Sequence, residues 1–143
     1  MSLYWVLKAL HVLCAVVWVG GMFFAYVVLR PSLSVLEPAQ RFALHSQVFR
    51  RFFLVIWHAM PISVLTGFIM IFAVFGGMAD VHWNVHLMLL LGLVMSAIFL
   101  AVFFGPWRVF RASPGPGPLD TIRKLIGLNL VLGLLTIIIA VLG

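Results

Sequence analysis

Polar residues are sparse along this chain, and they break it into four long apolar stretches, roughly 3–29, 52–75, 83–106 and 119–142. One helical crossing of a bilayer needs about 20 consecutive apolar residues. Each stretch is long enough, and together they use most of the chain. The pattern predicts an all-α, integral membrane four-helix bundle in which residues 1–143 form a single transmembrane domain. The first stretch is read as a retained helix, because its apolar run is far longer than the roughly 7–15 residues of a signal-peptide core.

Composition agrees. The chain is 65% hydrophobic and only 8% charged, and its mean hydropathy is +1.25. A soluble domain of this size could not hide that much apolar surface. The single cysteine, Cys14, falls within the first stretch, where a small packing role suffices.

The connections follow from turn chemistry and charge. Gly76-Gly77 and the run 113–118, with its alternating Pro and Gly, read as turns. The first connection, 31–51, carries Leu33, Leu36, Phe42, Leu44, Val48 and Phe49 among polar residues, which suits a short interfacial amphipathic helix with His45 facing solvent. Arg30, Arg41, Arg50 and Arg51 lie in or beside that connection, and Arg108, Arg111, Arg123 and Lys124 flank the third. The second connection has only Asp80. This is the positive-inside distribution, placing the first and third connections in the cytoplasm and both termini outside, periplasmic in a bacterial inner membrane. The formal charge of +6 is thereby explained by the membrane surface, and no nucleic acid is implied. Tyr4, Trp5 and Trp83 form an outer aromatic belt on this reading, with Trp57 and Trp107 on the inner side.

Two histidines interrupt this apolar background. His11 lies ~12 Å and His86 ~5 Å below the outer edge at the rise of an α-helix. Intramembrane imidazoles are costly and mark candidate functional sites. Two facing imidazoles on different helices can clamp one metal, and heme iron accepts axial histidines. Lys8 stands one turn above His11 and would meet a heme propionate, or else snorkel to the headgroups. His82 shares a face with His86, and that pair with Met88 could hold copper or zinc. His58 is placed toward the inner side, too far to share an iron with His11. The glycines within the spans permit close helix packing, and Asn129 is expected to hydrogen-bond to a neighbouring helix. No hydrolytic constellation, membrane carboxylate relay, Walker, Rossmann or CxxC pattern is visible.

The segment Leu7-Lys8-Ala9-Leu10-His11-Val12, continued by Val16-Val17-Trp18-Val19-Gly20-Gly21-Met22-Phe23, resembles the first helix of the CopD-like membrane proteins. That superfamily includes the HemJ-type protoporphyrinogen oxidases. Further likeness lies at Pro61 and Thr66-Gly67, at Val85-His86-Leu87-Met88, and at Gly127-Leu128-Asn129-Leu130 with Gly133-Leu134-Leu135-Thr136. The resemblance covers nearly the whole chain. It implies a four-helix bundle and, through the HemJ-type branch, heme b. In that branch the position matching His86 is lysine, a departure that favours a bis-histidine cytochrome over protoporphyrinogen oxidase activity. The copper-resistance branch implies a role in copper uptake.

The leading expectation is a heme b protein with His11 and His86 as axial ligands, serving electron transport or acting as a membrane oxidoreductase. Its partners would be a quinone or a periplasmic redox protein. The alternative is a copper transport or copper-handling protein using His11, His86, His82 and methionines. A subunit of a larger assembly, or a homo-oligomer, also suits a bundle with so much surface facing lipid.

Overall fold

The computed structural model describes residues 2–143. Helix α1 spans Leu3–Phe23 and runs on through a π-helical segment, Phe24–Leu29, into the short turns Arg30–Ser32 and Leu33–Val35. Helix α2 spans Pro38–Ile69 and is prolonged by a π-helical segment, Met70–Val74. After a single turn at Met78–Asp80 come α3 (Trp83–Phe104), α4 (Pro106–Ala112) and α5 (Pro116–Leu142). No strand occurs among the described residues. Four helical runs are long and apolar enough to cross a membrane, so the expected all-α four-helix membrane architecture is observed.

The first connection differs from its sequence reading. No separate interfacial helix lies there; the chain reverses tightly near Leu36, and α2 begins at Pro38. The local signals account for this. Pro38 occupies the first turn, where its missing N–H costs nothing. Glu37 and Gln40 form a reciprocal capping pair, with the Glu37 N–H donating to Gln40 Oε1 at 3.3 Å. The 32 residues of α2 extend about 48 Å, well beyond the ~30 Å hydrocarbon core. The apolar residues of the connection therefore become packing surface at the basic end of the bundle. His45 is a second correction, being 2% exposed rather than solvent-facing. Its ring packs on Phe49 with centroids 5.2 Å apart, and its Nδ1–H donates to the Arg41 carbonyl at 3.0 Å.

Two glycine sites shape the remaining turns. Gly76 and Gly77 adopt φ of 95° and 132°, a region closed to most side chains. Gly105 ends α3, and a Cβ there would fall 2.7 Å from the Ala101 carbonyl oxygen. Pro106 then starts α4, which carries Trp107 and Phe110 inward at 3% and 0% exposure. Trp107 is thus a core residue and not part of an inner belt, and Trp57 packs against Phe99 and Phe103. Helix α5 starts at Pro116, three residues before the expected boundary.

Helix α1 packs against α2 and α3 against α5, with sparser contacts between α1 and α5 and between α2 and α3. Helices α1 and α3 are therefore diagonal. Both chain termini lie at one end and the arginine-rich connections at the other. Most of the large apolar side chains on the outer faces are exposed, as a lipid-facing surface requires. At the basic end Phe49, Phe53, Phe99, Trp107 and Phe110 form the aromatic part of the core.

Candidate functional site

His11 faces inward, on the same stripe of α1 as buried Cys14, Trp18 and Met22. Its Nδ1 lies 2.8 Å from the Ser63 carbonyl oxygen and 3.1 Å from Thr66 Oγ1 of α2. A carbonyl can only accept, so Nδ1 carries the proton. The Thr66 hydroxyl donates in turn to the carbonyls of Ile62 at 2.7 Å and Ser63 at 3.0 Å. Such a bond fixes both the tautomer and the ring orientation, and it leaves Nε2 with a free lone pair. Gly67 makes the fit possible: a Cβ at that position would approach His11 Cε1 to 3.3 Å.

Sulfur follows His11 into the bundle. Cys14 is 8% exposed, Met60 7%, Met95 3% and Met22 2%. Their heights follow from the packing. A Cβ at Gly67 would touch His11 and one at Gly21 would touch Phe52, so Cys14 on α1 and Met60 on α2 both lie between those levels. Gly133 of α5 meets both Val19 of α1 and Met95 of α3, which closes the diagonal across the bundle axis. Asn129 Nδ2 donates to the Met95 carbonyl at 3.1 Å, the interhelical bond expected of it, while its Oδ1 is buried without a partner. Thr136 Oγ1 lies 3.9 Å from the Met95 sulfur.

His86 stands apart. It is exposed, whereas Asn84 and Met95 of the same helix are buried. About two and a half turns of helix separate it from Met95, so the two side chains emerge on opposite faces. His11 and His86 occupy similar heights but different surroundings, with His86 on the outer surface. This arrangement brings no support to a heme clamped between them.

His82 is exposed at the start of α3, and its carbonyl accepts from the Val85 N–H at 3.1 Å. His82 and His86 therefore share an outward face, not the interior. His58 is also exposed, and its Nδ1–H donates to the Leu54 carbonyl at 2.8 Å. Because α2 begins at Pro38, His58 sits near mid-height and not close to the inner edge. Lys8 lies with Nζ 5.6 Å from the Tyr4 ring centroid and 5.5 Å from that of Trp5, which ties it to the aromatic belt. Among the described residues, no group of three or more His, Cys, Asp or Glu side chains forms a metal cage. The copper alternative counts on methionines as soft donors without singling out the buried set Met22, Met60 and Met95. Composition alone gave no reason to separate them from ordinary core, since only the packing puts them inside.

The interior thus offers one oriented imidazole nitrogen and a succession of soft sulfur atoms, a donor set suited to monovalent copper. A family model described as CopD, copper resistance protein D, matches residues 46–142. Neither a curated protein nor a solved structure matches the chain.

Proposed function

Because the chain belongs to the CopD (copper resistance protein D) family, we propose that it handles copper in the membrane, taking Cu(I) at His11 and passing it inward along sulfur donors. The observation that carries this reading is the Nδ1–H of His11 bonded to Ser63 at 2.8 Å, which frees Nε2 as a ligand. Cys14, Met60, Met95 and Met22 are the next donors. Neutral thioether sulfur binds Cu(I) without large desolvation cost in an apolar interior, whereas Cys14 would bind as the thiolate, its proton released as the cation arrives. Ligands spread along the axis suit a passing ion, since conduction needs several sites from which departure is easy. On this reading the chain sits in a bacterial inner membrane with both termini periplasmic, the orientation its arginines imply, and copper arrives from outside.

The test is copper accumulation by proteoliposomes carrying a Cu(I) chelator in the lumen, alongside the absorption spectrum of the purified protein. Uptake above that of empty vesicles, lost in His11→Ala and retained in His86→Ala, is expected. No uptake would end the proposal. A Soret band that disappears in both variants would restore the bis-histidine heme.

A further inference from the structure

At the basic end, three guanidinium groups from separate parts of the chain line one cavity of about 350 Å³: Arg30 beyond α1, Arg41 of α2 and Arg123 of α5. A neighbouring cavity of about 380 Å³ shares Arg41 and Arg123. A single carboxylate, Asp120, acts on Arg123 against these three positive charges. Asp120, in the second cavity, is bonded to Lys124 at 3.0 Å, and Glu37 caps α2. His45, beside Arg123, adds no negative charge.

Arg41 and Arg30 are held in place by neutral partners. Arg41 donates through Nε to the Leu36 carbonyl at 2.7 Å and through Nη2 to that of Ser34 at 3.2 Å. The Arg30 guanidinium lies 5.0 Å from the Tyr26 ring centroid. Arg123 Nε is buried and has no hydrogen-bond partner. Converging like charges repel, and a buried donor without an acceptor forfeits its hydration. One anion with several oxygens resolves both costs, and guanidinium groups match phosphate by charge-assisted, often bidentate bonds.

We propose that this cavity binds a phosphate-bearing anion, supplied either by the headgroup of an anionic lipid or by free phosphate. Basic pockets between membrane helices are suited to such headgroups. The proposal is independent of the copper reading.

The experiment uses the full chain, purified and depleted of lipid in neutral detergent. Native mass spectrometry and thermal melting are then followed on adding phosphatidylglycerol, phosphatidylcholine or inorganic phosphate. Binding of phosphatidylglycerol in preference to phosphatidylcholine, with no response to phosphate, assigns the site to lipid; a response to inorganic phosphate assigns it to the free anion. In either case Arg123→Gln and Arg30→Gln should weaken binding roughly tenfold, while the exposed Arg111→Gln should leave it unchanged. Should Arg123→Gln fail to fold, the exposed Arg30→Gln carries the test. If neither probe binds wild type more tightly than these cavity variants, or if Arg111→Gln weakens binding equally, the proposal is overturned.

Discussion

The two ends of this bundle are built from different materials. At the basic end Phe53 is 2% exposed, with ring centroids 5.6 Å from Phe49 and 5.2 Å from Trp107. At the end holding the termini, the inward positions include Cys14, His11 and Thr66; the last two hydrogen-bond to backbone, and His11 packs on Gly67. Between helices in lipid no hydrophobic effect drives association, so close van der Waals packing and interhelical hydrogen bonds must do it. The aromatic end supplies most of that packing. The other end holds polar and soft side chains, and on the proposed reading these bind copper.

This contrast can be broken by experiment, most severely at Phe53. Phe53→Ala is expected to cost about 3 kcal/mol of stability by opening a large cavity, measured by reversible unfolding in mixed micelles. Copper uptake per folded molecule should survive. A cost near that of a surface substitution would remove the distinction between the ends.

His11→Ala tests the opposite corner. Uptake should fall at least tenfold while stability changes by only about 1 kcal/mol, the scale of one net hydrogen bond. Equal damage to folding and uptake would make His11 a structural residue. Met95→Leu sharpens the point, since it keeps volume and removes sulfur. A severalfold drop in uptake is expected, with a stability change below about 1.5 kcal/mol. Unchanged uptake would take Met95 out of the path.

Gly67→Ala should act more gently. The added methyl would press on His11 Cε1 from 3.3 Å, tilting the ring and lowering uptake about twofold, on the scale of a small core overpacking. His86→Ala is expected to change neither uptake nor melting temperature, because the imidazole lies on the outer surface of α3. A loss matching that of His11→Ala would return His86 to the site.

Much of the fold was legible along the chain. Four apolar stretches announced four crossings, since length and hydropathy decide whether a helix can satisfy its backbone in lipid. The Gly76-Gly77 turn and the Asn129 bond between helices were also readable, because each follows from the chemistry of one or two residues. The first connection was misread because its apolar positions fit an interfacial helix as well as a continuation of α2. Only the capping pair at Glu37 and Gln40, with Pro38, distinguishes the two. His45 and Trp107 look like surface residues in sequence and are core in the fold, for the same reason.

The candidate site divides along that line. The sequence by itself determined that His11 and His86 both fall toward the same end of their apolar stretches, because the rise of a helix converts position into depth. Which way each imidazole points was decided only by tertiary structure. A helix apolar on every side carries almost no signal of its inward face, so rotation about its axis is set by close-packing partners. Gly67 and Ser63 draw His11 inward. Met95, meeting Gly133 and Asn129, turns the opposite face of α3 to the core and leaves His86 outside.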